Sequence, residues 1–167
     1  MSGFFELREP TRVTVGAIGP VGQRVFLLQA REGSQLVTLK LEKQHVAAIA
    51  HHLGQLLQDL ARPGDLAEED LELEPFDEPD FVVGTLAVAF DTSADRIVIF
   101  TEEAVDEGVE EGESARFSCT REQAAALALR GVRLVEAGRP SCPLCGYPLD
   151  PRGHVCPRKN GHHAPLT

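Results

Sequence analysis

"RVTVGAIGPVGQRVFLLQAREGSQLVTLKLEKQHVAAIAHHLGQLLQDLA", residues 12–61, changes its hydrophobic period once, and that change decides the fold class. As far as Glu42 it reads as strands: 12–19, 24–32 and 35–42, punctuated by the turn residues PVGQ (20–23) and GS (33–34). From Lys43 onward the period becomes helical. Val46, Ile49, Ala50, Leu53, Leu56, Leu57 and Leu60 fall on one stripe at spacings of three and four, which predicts a helix over 43–61. The glycines of "GAIGPVG" are followed by no Gly-Lys-Ser/Thr and open no helix, so they suit a hairpin turn rather than a phosphate loop.

Outward from this block, the same order returns. Residues 80–91 (DFVVGTLAVAFD), 96–103 (RIVIFTEE) and 114–120 (SARFSCT) read as strands, and 121–138 (REQAAALALRGVRLVEAG) as a helix. Thr120 and Gln123 have capping-box spacing, and Gly138 and Pro140 are suited to end the helix. The Val-Gly pairs of "TVGAIG" and "VVGTL", Arg24 and Arg96 at the starts of matching strands, and Gln44 and Gln123 near the helix starts all suggest a duplication. The expected body, residues 1–138, is therefore an antiparallel α+β domain. It would be built from two strand-strand-strand-helix units, about 10–61 and 80–138, related by a pseudo-two-fold axis.

Between the units runs an acidic, proline-bearing connection, 62–79, with room for a short element around Leu66 to Leu73. A second acidic loop spans 104–113. If the loops hold equivalent places they form one acidic face for a basic partner or divalent cations; two separately solvated loops are the plainer expectation.

The chain's net charge of −10 is uneven. From Arg139 to Thr167, four basic residues (Arg139, Arg152, Arg158, Lys159) stand against Asp150, giving +3, which leaves −13 on residues 1–138. An acidic body repels phosphate backbones and argues against nucleic-acid binding there; only the tail offers a basic contact. At 43% hydrophobic residues the chain can bury a core, yet no apolar run reaches the roughly 20 residues that span a bilayer. The opening "MSGFFELREPTRVTV" lacks a basic start and an apolar core, so a soluble, cytoplasmic protein is expected.

Chemistry concentrates in "SCPLCGYPLDPRGHVCPRKNGHH", residues 141–163. Cys142 and Cys145 form a C-x-x-C-G turn whose thiolates can share one tetrahedral ion, and Cys156 lies a short loop away. His154 precedes Cys156 by two residues, so in an extended segment both side chains share a face; His162 and His163 are the other candidates for the fourth ligand. Pro148 and Pro151 oppose the helix that a redox C-x-x-C would open. Three cysteines and one imidazole close a structural zinc shell and leave no site for a substrate. Cys119, on a predicted strand, reads as a small core residue.

This tail, with "VGAIGPVGQRVFLLQA", "LEKQHVAAIA" and "VGT", resembles a bacterial family known only as a domain of unknown function, along nearly the whole chain. The family's Cys-Pro-x-Cys-Gly, Gly-His-x-Cys and Asn-Gly fall on Cys142, Cys145, Gly146, Gly153, His154, Cys156, Asn160 and Gly161. The resemblance implies His154 as the fourth ligand. It carries no activity.

Elsewhere, no nucleophile can be paired with a base. His45 and His52, seven apart on the predicted helix, could share a face, but solvated histidines are the expectation. Arg24 and Arg96 could face one anionic ligand across the repeats, or make ordinary salt bridges. The leading expectation is a zinc-stabilised, non-catalytic binding or adaptor protein with a protein partner. Its rivals are an enzyme acting on a small anion in a cleft between the repeats, and nucleic-acid contact through the tail.

Overall fold

The computed structural model describes residues 3–20, 22–60 and 71–137. Nine elements follow in order: β1 (Phe4–Leu7), β2 (Arg12–Ile18), β3 (Val25–Glu32), β4 (Gln35–Leu41), α1 (Lys43–Gln58), β5 (Phe81–Asp91), β6 (Arg96–Glu103), β7 (Ser114–Cys119) and α2 (Arg121–Ala137). The fold is mixed α+β; four strands precede the first helix and three the second. The expected boundary between body and tail, at 138/139, lies outside the described residues, as do Gly138 and Pro140.

All seven strands join one sheet, ordered β1-β7-β6-β5-β4-β3-β2. It is not wholly antiparallel. Each half is an antiparallel meander, but β4 meets β5 in parallel, through Leu39↔Phe81 and Lys40↔Val82, and β1 lies parallel to β7. Strand β1 was not foreseen. Its four residues give too short an alternation to read, although Phe5 and Leu7 turn to the core and Phe5 stacks on Phe81.

The order imposes a curvature. β1 and β2 are the two edges of the sheet, yet they are neighbours in sequence. Seven strands laid flat would hold their edges about 29 Å apart. The chain from Leu7 to Arg12 reaches at most about 17 Å. The sheet therefore curls until its edges approach, and α2 packs against β2 across the gap. There the Arg130 guanidinium donates through Nε to the Val15 carbonyl at 2.6 Å. The core lies inside the curl. Val13, Val15, Leu28, Leu39, Ile97, Ile99 and Phe117 face Val46, Ile49, Leu53 and Leu127 of the helices.

The helices cross closely where Gly131 meets α1; a Cβ there would stand 3.2 Å from the Ala50 Cβ. The helical stripe is as expected, with Val46, Ile49, Ala50 and Leu53 buried and Leu56, Leu57 and Leu60 packed at its margin. The hairpin reading of "GAIGPVG" also holds: Gly19 and Gly22 have φ of 96° and 92°, which glycine alone adopts without strain.

Residues 71–78 run across the outer face of β2, β3 and β4 as a strap. Polar side chains of the sheet hold its backbone. Arg12 donates to the Glu72 carbonyl and Thr14 to the Leu71 carbonyl. Gln29 donates to the Glu74 carbonyl at 2.9 Å and accepts from the Glu74 amide at 2.8 Å. Arg31 grips the Glu74 carboxylate at 2.8 Å. Leu73 occupies the space left by Gly16, where a Cβ would come within 2.6 Å of it. The plain expectation of a solvated acidic loop therefore fails for this stretch: Leu71 is buried, and Glu74 is spent on an internal ion pair.

The two acidic segments are not equivalent either. One follows α1, whereas 104–113 joins β6 to β7, the place taken in the first half by the tight turn at Gly33.

Candidate functional site

The joint where the sheet closes is built by residues 8–11, which carry the chain from β1 to β2. The Thr11 amide donates to the Arg31 carbonyl at 2.7 Å, and the Pro10 carbonyl accepts from Gln123 Nε2 at 2.8 Å. Gln123 is the third residue of α2 and also completes the expected capping box. It accepts from the Thr120 amide at 2.9 Å, while Thr120 Oγ1 accepts from the Gln123 amide at 3.1 Å.

His45 holds the same position in α1. It accepts from the Glu42 amide at 3.0 Å through Nδ1, and its Nε2 lies 3.2 Å from the Gly84 carbonyl of β5. His45 is thus a buried cap that ties α1 to β5, not a solvated residue. His51 and His52 are exposed and contact one another edge to face. The counterpart of Gln123 is His45, one residue beyond the expected Gln44. The Val-Gly anchors are likewise out of step: Gly16 pairs with Leu27, whereas Gly84 sits in a bulge of β5.

A shallow cleft of about 570 Å³ opens on the outer face at this joint, lined by Glu6, Arg8, Glu9, Glu32, Asp91 and Arg96, with Arg116 and Ser118. Arg96 lies in it. Its guanidinium stands 3.8 Å from Glu9 and donates to the Ser118 carbonyl at 3.4 Å. Arg8 is taken up by Glu6 at 2.9 Å. Asp91 accepts from the hydroxyl and amide of Ser93 and from the Ala94 amide. These bonds, the Ser93 hydroxyl first, hold its carboxyl below the usual range. Arg24 is half-buried beside the β2–β3 turn and does not line the cleft. Three guanidiniums thus face four carboxylates.

Cys119 is a core residue, as expected. It is fully buried, and desolvation pushes its thiol up to about 12. Cys142, Cys145, His154, Cys156, His162 and His163 lie outside the described residues. Among the described residues, no three His, Cys, Asp or Glu side chains are placed to hold a metal ion. Also among the described residues, no helix is long and apolar enough to cross a membrane.

The outer face differs between the halves. In the first, the cross-strand row Thr14-Gln29-Thr38 is covered by the strap, each residue 2% exposed. The corresponding row of the second half, Ala87-Phe100-Arg116, has exposed ends and a half-exposed centre. The next row, Ala89-Val98-Ser118, is also open at Ala89, and Phe4 of β1 is 55% exposed nearby. Sequence reasoning missed this face, because alanines alternating on a strand carry little hydrophobic signal.

No curated protein and no solved structure matches the chain. A family model does, over residues 5–156, a span that closes on Cys156 and leaves His162 and His163 outside. By that match the chain belongs to the family described as Protein of unknown function (DUF3090).

Proposed function

We propose that the chain is a zinc-stabilised, non-catalytic binding or adaptor protein, in which Cys142, Cys145, His154 and Cys156 hold one structural Zn²⁺. The observation that carries this reading is the donor set: three thiolates and an imidazole at spacings that let them converge. The family span agrees with it, since it takes in all four ligands and stops before His162. A stretch so poor in large apolar residues needs a metal to fix its shape.

Metal analysis of the full chain tests this directly. About one equivalent of zinc should copurify, be lost in Cys145→Ser, be weakened in His154→Ala, and persist in His162→Ala and His163→Ala. A chain purified without zinc under reducing conditions, or one that loses it with His162, would refute the ligand set.

The body in this reading is a duplicated scaffold. Its support is the repeated order of elements and the matching use of His45 and Gln123. Each caps its own helix and then reaches a backbone carbonyl, Gly84 or Pro10, at the opening of the other half.

A second reading, a small anionic ligand bound by arginines, has the cleft in its favour. Arg96 and Arg116 both line it, and Arg116 is exposed. Four carboxylates in the same cleft weigh against it. Arg24 stands outside this cleft, so the test falls on Arg96→Ala with Arg116→Ala, which should abolish binding of inorganic phosphate; unchanged binding would end the reading.

A further inference from the structure

The two halves bury their inner faces in one core, but among the described residues only one has its outer face covered. The cover is the chain that follows α1: it leaves the helix after Gln58 and returns over β2–β4 as the strap before entering β5. In the second half, the chain that follows α2 is residues 138–167. The face left open is the one that an equivalent strap would cover. Its rows Ala87-Phe100 and Ala89-Val98 stand where Thr14-Gln29 and Gly16-Leu27 stand under the first strap. Small side chains at Ala87 and Ala89 leave room for a chain to lie close, as Gly16 does for Leu73.

We infer that the C-terminal tail, residues 138–167, docks on the outer face of β5, β6 and β7, as the strap does on β2, β3 and β4.

Three observations select this occupant over a separate protein. The tail begins where α2 ends, and α2 packs on the same body as α1, whose own continuation makes the first cover. The reach suffices: twelve residues separate Gln58 from Leu71, and the same number beyond Ala137 would span at most about 40 Å. The charges complement one another. The tail carries +3 and the rest of the chain −13, and on or beside the open face Glu6, Glu9, Glu32, Asp91 and Glu102 outnumber Arg8, Arg96 and Arg116. Arg152, Arg158 and Lys159 would meet these carboxylates in the way Arg31 meets Glu74, with the donor and acceptor sides exchanged.

The inference deepens the zinc-tail reading and rests on it for the tail's internal shape. The two fail separately, because one is read by metal content and the other by the tail's dependence on the face.

The test uses the full chain with its metal content measured. Ala87→Arg and Ala89→Arg together place two like charges beneath a basic segment, at positions already exposed to solvent. Trypsin cleavage after Arg152, Arg158 and Lys159 should accelerate about tenfold or more in this variant, with zinc content and far-UV spectrum unchanged. Equal cleavage rates in the two chains would overturn the docking. In case the double variant folds poorly, Ala89→Cys reads the same face with a minimal change. A docked tail slows maleimide labelling of that thiol about tenfold or more relative to an exposed one, at every protein concentration. Labelling at the rate of a free surface thiol, or protection that vanishes on dilution and so marks a second copy on the face, would overturn it.

Discussion

Gln29 shows how much one buried amide can organise. Its side chain donates to Thr38 Oγ1 and to the Glu74 carbonyl, and it accepts from the Glu74 amide. A leucine of similar size would leave both backbone groups of Glu74 without their partner, at about 1–3 kcal/mol. Thr38→Val removes one bond of the set and should cost about 0.5–1.5 kcal/mol. Urea unfolding of the two variants should rank them in that order, and a Gln29→Leu chain as stable as wild type would show the strap to be held by other contacts. Nothing in the sequence marks Gln29 for this role. It stands in a strand whose apolar run was plain, but its partner lies at position 74, in a stretch whose composition suggests open solvent. Local patterning reports the face on which a residue stands, not what later chain will lie on that face. For the same reason Cys119, whose strand neighbours alone imply burial, was readable, while His45 was not.

At the scale of elements, the strap and the helix pair make opposite demands. The strap depends in part on charge. Hydrogen bonding to Arg31 lowers the Glu74 carboxyl from its ordinary 4.5. A lowered carboxyl stabilises the fold above the unfolded value and loses that contribution as pH falls through the folded one. The stability of the wild-type chain should therefore drop more steeply below pH 4.5 than that of Glu74→Gln. Parallel acid titrations of the two would contradict this. The helix pair depends on the missing side chain at Gly131. Alanine there gains about 0.5–1 kcal/mol of helix propensity against a contact only slightly too tight, so Gly131→Ala should be close to neutral. Gly131→Leu must force the helices apart and should cost about 1–3 kcal/mol by thermal unfolding. A stable Gly131→Leu would mean that the crossing tolerates a larger separation. These elements were legible because their periods are long and clean. The stripe from Val46 to Leu60, the alternation of β4 and the turn residues that punctuate the apolar runs of β2, β3 and β6 gave bounds within a few residues of those found.

For the whole molecule, what sequence patterning could not supply is closure. Two meanders of three strands predict two antiparallel sheets or one; they do not predict the parallel joint at Leu39↔Phe81, nor that β1 seals the far side against β7. Parallel pairing between distant segments has no local signature, since its partners are chosen by the curvature of the finished sheet. The candidate site suffered from the same gap: the cleft beside Arg96 exists only because residues 8–11 bridge edges that a flat sheet would hold apart. That bridge also orders events during synthesis. β1 leaves the ribosome more than a hundred residues before its partner β7. Strand β1 must wait, unpaired, with Phe5 and Leu7 exposed, until nearly all of the body has been made. β1 is thus made before the strands of both meanders yet is among the last to find its place, and the sheet stays open on that side until the second half can close it.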